Sequence, residues 1–317
     1  MSAANPARTA VITGASGGIG AATARSLVST LPTLEHLILA ARDINKAESV
    51  AEPLRKGASA RPVKVTVVPV ELSDLISVRE CAEKISHRLG GEPLDLLINN
   101  AGIMACPLMY SSMRGENGYV ELQYATNHLS HAALTTWLLS EMEKSDCARA
   151  IFVSSLAVRF ASGRTTAPVV EERVEGVLKN GGYEKWRMYG ESKLAMSMFA
   201  RELSRRSNVF CLSLHPGVVQ TELIRYVVPK FMQGSPTSFA GKLLEGASRR
   251  VLGLKTPEQG AELSIELSQK GREELENGMM YMKTGLEKLQ LRQLPIFWNN
   301  KECSRLYEDT VRFVTSV

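Results

Sequence analysis

Two residues with acid–base potential stand four positions apart in the stretch Tyr189-Gly190-Glu191-Ser192-Lys193. Four residues make about one helical turn, so a helix here would place both side chains on one face. A neighbouring ammonium favours the phenolate and is expected to lower the pKa of Tyr189, which would suit the phenol to proton transfer. The pattern is common on exposed helix faces, so its meaning depends on the elements that surround it.

A second pattern is the glycine-rich turn Gly14-Ala15-Ser16-Gly17-Gly18-Ile19-Gly20, which lies between the apolar run Thr9 to Thr13 and a helical pattern. Glycines allow a tight turn and a close approach of the backbone to a pyrophosphate. The free N–H groups and the positive end of the following helix would face its charge. The turn predicts a dinucleotide site, and the alternative is an ordinary strand-to-helix turn.

The end of the second predicted strand bears on the choice of dinucleotide. Ala41 is followed by Arg42 and Asp43. A guanidinium binds a phosphate dianion through paired, charge-assisted hydrogen bonds, whereas alanine offers nothing to a ribose hydroxyl. Arg42 therefore predicts NADP(H). Asp43 leaves NAD open, since a shifted register would bring its carboxylate to the ribose.

Apolar runs of strand length alternate with helical patterns, which predicts an α/β fold of the Rossmann type, with a doubly wound parallel sheet in a single domain over residues 1–317. The predicted strands are Thr9 to Thr13, Leu37 to Ala41, Val63 to Val70, Leu94 to Ile98, Ala150 to Ser154 and Val209 to Leu214. The predicted helices are Ile19 to Thr30, Ser77 to Leu89, Tyr119 to Lys144, Arg187 to Arg206, and one that a capping box at Thr256 and Gln259 starts and that runs to about Gln269.

Composition argues against several classes of function. The formal net charge is +5 without a run of basic residues, so nothing favours a nucleic-acid partner. Met1 to Arg8 has no apolar stretch, and no apolar run reaches the roughly 18 residues of a membrane span, so a cytoplasmic protein is expected. No metal site is expected, because no C-x-x-C pair joins the cysteines Cys81, Cys106, Cys147, Cys211 and Cys303.

One ordered set of motifs resembles the short-chain dehydrogenase/reductase family from Thr9 to about Met282. The set is Gly14/Gly18/Gly20, Asn100-Ala101-Gly102, Asn127, Ser155, Tyr189/Lys193 and His215-Pro216-Gly217 followed by Thr221. Ala41-Arg42-Asp43, Asn127-His128-Leu129 and His215-Pro216-Gly217 resemble its retinol-dehydrogenase-like branch. One departure is Glu71, where the family usually has aspartate. The resemblance implies a cofactor site formed by Gly14, Ser16, Gly18, Ile19, Gly20, Arg42, Glu71, Leu72, Asn100, Ala101, Gly102, Tyr189, Lys193, Pro216, Gly217, Val219 and Thr221.

The resemblance also implies four catalytic residues: Asn127, Ser155, Tyr189 and Lys193. Ser155 would hold the substrate oxygen, with Ser154 as the alternative, and Asn127 would bind a water that links the lysine to solvent. His128 and His131 are interpreted as packing or surface residues of a helix and not as ligands. The segment between Ser155 and Tyr189 is longer than in many family members and must loop out.

The expected function is NADP(H)-dependent interconversion of a carbonyl and an alcohol on an apolar small molecule, with reduction favoured. Residues 156–188 and 222–255 are expected to face the substrate. One alternative is isomerisation, cyclisation or double-bond reduction at the same site, and another is a binding protein that senses NADP(H) without turnover. The resemblance implies a homodimer or homotetramer, unless the C-terminal extension, residues 286–317, covers the subunit interface and leaves a monomer.

Overall fold

The apolar runs form strands in the computed structural model, which describes residues 5–57, 62–115, 118–162, 182–221, 254–283, 287–288 and 295–316. The strands are β1 (Thr9–Thr13), β2 (His36–Ala41), β3 (Lys64–Pro69), β4 (Leu96–Asn99), β5 (Tyr110–Gly115), β6 (Gly118–Glu121), β7 (Arg149–Val153), β8 (Phe210–Leu214), β9 (Met280–Lys283) and β10 (Glu287–Lys288).

Eight of these strands form one sheet in the order β10-β9-β8-β7-β4-β1-β2-β3. All neighbours are parallel except β9 and β10, and β5 and β6 form a separate antiparallel hairpin. Parallel neighbours need long crossover connections, which the helices provide. The predicted doubly wound α/β fold is confirmed.

Helices cover both faces of the sheet. They are α1 (Gly18–Thr30), α2 (Ile44–Lys56), α3 (Leu75–Leu89), α4 (Leu122–Tyr124), α5 (Ser130–Trp137), α6 (Leu139–Glu143), α7 (Lys185–Arg206), α8 (Pro257–Gln269), α9 (Pro295–Trp298) and α10 (Asn300–Thr315). A π-helical turn, Ala125–Leu129, joins α4 to α5, and a 3-10 turn, Leu156–Phe160, follows β7.

Strand β1 shows why its central residues, Ala10, Val11 and Ile12, are all apolar. Side chains alternate between the two faces of a strand, so Val11 packs in the core beneath α3, α5 and α7. Ala10 and Ile12 pack in the second core beneath α1, α2 and α8. A strand buried on both faces cannot alternate apolar with polar residues, and the continuous apolar run is the consequence.

Two predictions about helices have different outcomes. The capping box at Thr256 is confirmed: its hydroxyl accepts from the Gln259 N–H, the Gln259 side chain accepts from the Thr256 N–H, and α8 ends at Gln269. The single helix predicted from Tyr119 to Lys144 is wrong at its start. Tyr119 lies in β6, the second strand of a short hairpin that precedes the helical stretch. The prediction failed there because two such short strands leave little hydrophobic periodicity in the sequence.

The C-terminal extension folds back onto the helices that follow β6 and β7. Tyr307 of α10 stacks on Phe199 of α7 with ring centroids 5.0 Å apart. Thr310 bonds the buried His128 through Nε2 at 3.0 Å. Arg206 donates to Glu308 at 2.8 Å. The outer face of α7 is therefore covered by the chain itself.

Most of the two segments expected to face the substrate, 163–181 and 222–253, lies outside the described residues, as do 284–286, 289–294 and 317 of the C-terminal extension. The ends of the second segment are tied together. Val219 pairs with Lys255 in a parallel bridge, with Lys255 N–H donating to Val218 O at 2.8 Å.

Candidate active site

The glycine turn between β1 and α1 has the shape that a phosphate site requires. Gly14 has a φ of +67°, and a Cβ there would lie 2.9 Å from Cα of Ala101. A Cβ on Gly20 would overlap the Gly14 carbonyl and approach the Asn100 side chain within 2.6 Å. Residue 17, which precedes α1, gives no side-chain cap, and the first turn has no acidic residue. The N–H groups at this helix end are thus available to an anion.

One cleft of about 360 Å³ begins at this turn and follows the carboxyl ends of β1 to β4. Twelve of the seventeen predicted cofactor residues line it. Its lining includes Gly14, Ser16, Gly18, Ile19, Gly20, Arg42, Glu71, Leu72, Asn100, Ala101, Gly102 and Thr221.

Charged side chains surround the end of β2 where the cleft opens to solvent. Arg42 Nη1 lies 3.7 Å from Glu71 Oε2, and both side chains are largely solvated. Asp43 caps α2, because its Oδ1 accepts from the Lys46 N–H at 3.0 Å. Lys46 also lines the cleft and places its Nζ 4.0 Å from Asp43. The wall therefore carries two cations, Arg42 and Lys46, and two carboxylates, Asp43 and Glu71, of which Asp43 already serves as a helix cap.

The predicted catalytic residues meet at the carboxyl end of β7. Tyr189 and Lys193 lie in the first turns of α7 and are 4% and 3% exposed. Ser155 hydrogen-bonds the Tyr189 side chain, and its Oγ accepts from Ala157 N–H at 3.2 Å. Ser154 instead donates to Lys193 O at 2.9 Å and accepts from the Ser197 hydroxyl at 2.9 Å. Ser155, not Ser154, is the serine beside the phenol.

Burial is the main cause of the pKa shifts of Tyr189 and Lys193. It raises the pKa of Tyr189 to about 12, opposed only by the hydrogen bond with Ser155. It lowers the pKa of Lys193 to about 7, and its Nζ donates to Val153 O at 2.7 Å. The expectation that the ammonium lowers the Tyr189 pKa is therefore wrong for this arrangement: the Lys193 Nζ lies 6.0 Å from the phenol ring centroid and points to a backbone carbonyl.

Asn127 lies in the π-helical turn and joins the cofactor cleft to α7. Its Nδ2 donates to Ile103 O at 3.0 Å and to Ser192 Oγ at 2.9 Å, and its Oδ1 accepts from Ile103 N–H at 2.9 Å. A Cβ on Gly102 would meet Asn127 Oδ1 at 3.0 Å and Lys193 Nζ at 3.3 Å. Glycine at position 102 is thus what lets the amide and the ammonium approach the same point.

The segment after β8 packs against the glycine turn. Thr221 Cγ2 would lie 3.0 Å from a Cβ on Gly18. Val219 and Ile19 meet across Gly260, where a Cβ would lie 2.6 Å and 3.1 Å from them. Pro216 is buried, and Gly217 follows it with a φ of +91°. Val219 and Thr221 are therefore adjacent to the phosphate turn. Of the predicted cofactor residues after β7, only Thr221 lines the cleft described above; the others are Tyr189, Lys193, Pro216, Gly217 and Val219.

Comparisons with known proteins agree with this geometry. The family model for short chain dehydrogenases matches residues 8–167. The chain belongs to the short-chain dehydrogenase family. Within it, the chain is 37% identical over 224 residues to human retinol dehydrogenase 13, covering 70% of this chain and 62% of that protein. It is 34% identical over 273 residues to mouse retinol dehydrogenase 14, covering 82% and 73%. The resemblance to the retinol-dehydrogenase-like branch is confirmed.

A solved structure shows the same fold along nearly the whole chain of this short-chain dehydrogenase. An uncharacterised protein from Mycobacterium paratuberculosis superimposes with a TM-score of 0.66 at 26% identity, covering 97% of this chain and 93% of that one. Among the described residues, no helix has both the length and the apolar character that crossing a bilayer requires. The same residues contain no group of three His, Cys, Asp or Glu side chains placed to hold a metal ion.

Two features of this candidate site were not predicted from the sequence. Lys46 lines the cleft, but in the sequence it resembles any exposed lysine of a helix. The sequence feature that could have indicated its role is its position in the first turn after the helix cap Asp43, close to Arg42. His131 bonds Thr13 at 2.9 Å across 118 positions of the chain, so it is more than a packing residue. No local pattern reveals such a contact.

Proposed function

We propose that the protein is an NADP(H)-dependent oxidoreductase that interconverts a carbonyl and an alcohol on a largely apolar small molecule. The observation that carries the proposal is the buried contact of Tyr189 with Ser155 beside Lys193, at the edge of the sheet where the glycine cleft ends. Ligands of doubly wound folds bind at this edge.

The glycine turn and the open end of α1 fit a dinucleotide pyrophosphate, so the cleft suits a nicotinamide cofactor, which would supply or accept the hydride. Ser155 would hold the substrate oxygen, and the Tyr189 hydroxyl would give that oxygen its proton during reduction. With a pKa of about 12, Tyr189 is protonated at neutral pH and so carries the proton that reduction requires. Lys193, with a pKa of about 7, exchanges protons readily at neutral pH and lies beside both Tyr189 and Asn127.

The charges at the end of β2 support NADP(H) over NAD. Arg42 and Lys46 both line the cleft, and the last residue of β2, Ala41, is neutral. A 2′-phosphate dianion would bind the two cations, with Arg42 able to use two parallel donors. Asp43, the residue that favoured NAD, is engaged by the helix α2 N–H groups.

Aromatic side chains support a large apolar substrate. Trp186 packs edge-on against Tyr189 with ring centroids 6.3 Å apart, and Phe160 packs against Trp186 at 6.5 Å. Phe160 is 60% exposed and Trp186 is 38% exposed, and Val218, after β8, is 60% exposed. Large apolar side chains that remain exposed, with Trp186 directly beside the phenol, are suited to contact an apolar ligand.

Turnover by the wild-type protein tests the proposal. Purified protein is incubated with NADPH or NADH and a panel of carbonyl compounds that includes retinal, steroid ketones and short-chain aldehydes, with cofactor oxidation followed by absorbance. We expect oxidation of NADPH in preference to NADH, with larger apolar carbonyls favoured. Product formed without NADPH oxidation would indicate isomerisation or cyclisation instead. Tight NADPH binding without turnover across the panel would indicate a sensing protein.

We also propose that the protein is a monomer. The resemblance places the family's subunit contacts on the helices that contain Asn127 and Tyr189, and α10 covers that face here. The Glu202 carboxylate, 4% exposed, accepts from Ser304 of α10 at 2.7 Å, and the Tyr307 ring stacks on Phe199. Light scattering after size-exclusion chromatography is expected to give the mass of one chain, and a dimer mass would contradict the proposal.

A further inference from the structure

His131 lies in α5, fully buried, and both of its ring nitrogens have partners. Nε2 lies 2.9 Å from the Thr13 hydroxyl at the end of β1. Nδ1 lies 3.0 Å from the main-chain oxygen of Asn127. The ring therefore spans the gap between the strand that leads into the glycine turn and the π-helical turn that holds Asn127.

The partners of Thr13 determine which nitrogen carries the proton. The Thr13 Oγ1 accepts from the N–H groups of Asn100 and Ala101 at 2.9 and 3.0 Å, which uses both of its lone pairs. Its hydrogen must then be donated to Nε2 of His131. Nδ1 consequently carries the ring proton and donates it to the Asn127 oxygen. Burial lowers the pKa of His131 to about 3, so the ring stays neutral and this arrangement persists at working pH.

The same hydrogen bonds continue to the catalytic helix. The Asn127 side chain donates to Ser192 Oγ at 2.9 Å, and the Ser192 hydroxyl donates to Tyr189 O at 2.8 Å. Asn100 and Ala101, at the other end, line the cofactor cleft. A continuous series of buried hydrogen bonds therefore connects the cleft wall to the backbone of Tyr189.

We propose that His131 is a positioning residue that couples the cofactor cleft to the catalytic helix, with separable roles for its two nitrogens. Through Nε2 and Thr13 it orders the N–H groups of Asn100 and Ala101 in the cleft wall. Through Nδ1 it holds the main chain of Asn127 and, by way of Ser192, the start of α7 with Tyr189. The second role rests on the proposed function, whereas the first concerns cofactor binding alone.

Two substitutions separate the roles of the nitrogens. His131→Asn keeps a donor near the place of Nδ1 and removes the acceptor for Thr13. We expect the Kd for NADPH to rise about 10-fold, with kcat at saturating NADPH within twofold of wild type, because one buried hydrogen bond contributes about 1–1.5 kcal/mol. His131→Gln keeps an acceptor near Nε2 and removes the donor to Asn127. Here kcat should fall about 10-fold while the Kd stays within twofold.

His128 provides a matched control on the same helical stretch. It is 1% exposed, burial likewise lowers its pKa to about 3, and it bonds Thr310 of α10 instead of the cleft. His128→Asn and His128→Gln should lower Tm by a similar amount but leave Kd and kcat unchanged. If the His131 variants change Kd and kcat in parallel, or no more than the His128 variants do, the proposal is overturned.

Thr13 gives a second test if the His131 variants fold poorly. Thr13→Ser keeps the hydroxyl and should bind NADPH like wild type, whereas Thr13→Val should weaken binding about 10-fold or more. NADPH affinity, measured by nicotinamide fluorescence, needs no turnover. An inactive wild-type protein would refute the proposed function, yet a weakened affinity in His131→Asn but not in His131→Gln would still support the Nε2 role. Equal affinities in the two variants would refute it.

Discussion

The two ends of the candidate site, one in the cleft wall at the end of β2 and one at the start of α7, differ in how far their charged groups are exposed to solvent. At the end of β2, the side chains of Arg42 and Glu71 are 69% and 39% exposed and face each other at 3.7 Å in solvent. At the start of α7, Tyr189 and Lys193 are almost fully buried, and among the described residues their side chains bond neutral groups, the Ser155 hydroxyl and the Val153 carbonyl. The charged groups at the end of β2 are in contact with solvent, whereas burial at the start of α7 disfavours a charge on Tyr189 and Lys193.

The difference follows from what each end is proposed to do. A cation that recognises a phosphate must be charged before the ligand arrives, and a guanidinium is charged at any working pH. A group that transfers a proton must be able to change its charge, and burial brings the pKa of Lys193 to about 7, where both forms are populated. Substitutions at the two ends should therefore alter different measured quantities.

The largest expected effect is on the buried end. Tyr189→Phe removes the only proposed proton donor while preserving ring volume, so kcat should fall about 1000-fold. Its Kd for NADPH, measured by fluorescence, should stay within twofold of wild type. A variant that retained wild-type turnover while binding NADPH normally would show that the proton comes from elsewhere.

Lys193→Met tests whether burial suppresses charge at this end. The folded-state pKa of Lys193 is depressed from 10.5 to about 7, so below about pH 7 both states are protonated and folding bears the full cost of burying the ammonium. As pH rises from 7 to 10.5, the folded state loses the proton first and this cost fades. The variant should gain on the order of 3 kcal/mol in the free energy of unfolding at pH 6, and less at pH 9.

Urea unfolding at both pH values measures this difference, with Lys84→Met as the control. Lys84 is exposed and paired with Glu80, so its replacement should change stability by less than about 1 kcal/mol at either pH. If Lys193→Met were destabilising at pH 6, the buried lysine would instead be held by interactions stronger than its desolvation.

Arg42→Ala tests the exposed end. Loss of charge-assisted hydrogen bonds to a 2′-phosphate should raise the Kd for NADPH about 30-fold, with NADH affinity within twofold of wild type. Arg8 is a matched control, because it forms another exposed arginine–glutamate pair, with Glu35 at 2.7 Å, outside the cleft. If Arg8→Ala and Arg42→Ala had equal effects on NADPH, the effect would be one of general charge. Lys46→Ala combined with Arg42→Ala should weaken NADPH further.

The sequence predicted the exposed end better than the buried one for a physical reason. Backbone crowding requires glycine at positions 14 and 20, and Arg42 directly follows its strand. The residue types at these positions were therefore enough to predict the glycine turn and the cation. Burial, by contrast, is a property of the folded chain. The spacing of Tyr189 and Lys193 gave their adjacency, whereas the direction of the Tyr189 pKa depends on desolvation that no spacing encodes.

The same division holds for the fold. The buried strands and the capped helix α8 were predictable, because apolar runs and capping boxes are local. Helix α2 was not, since Pro53 lies inside it and only Ala47, Ala51 and Leu54 are buried. Strand β9 and helix α10 depend on contacts with β8 and α7 that are distant in sequence. The contact of His131 with Thr13 likewise joins residues far apart in sequence, so the local sequence does not indicate its role.

Trp186→Ala examines the exposed apolar surface beside Tyr189, at the buried end of the site. Loss of the ring beside Tyr189 should raise KM for large apolar carbonyls about 10-fold, because about 1–2 kcal/mol of apolar contact is lost, while short-chain aldehydes are affected less than threefold. Trp298 has the same 38% exposure but lies in α9, so Trp298→Ala should leave both KM values unchanged. Equal losses for large and small carbonyls would show that Trp186 only supports Tyr189.

The smallest expected effect has the opposite sign and belongs to the exposed end. Glu71 faces Arg42 and would compete with a 2′-phosphate for the guanidinium, although an exposed pair contributes only about 0–1 kcal/mol. Glu71→Gln should therefore tighten NADPH binding about threefold and leave NADH unchanged, and the gain should disappear in an Arg42→Ala background. Glu71 also accepts from Ser73 through Oε1, a bond that glutamine can keep through its carbonyl oxygen. Weaker NADPH binding in Glu71→Gln would mean that Glu71 orients Arg42 for the phosphate instead of competing with it, because solvated charges at this end would then act as a preorganised pair.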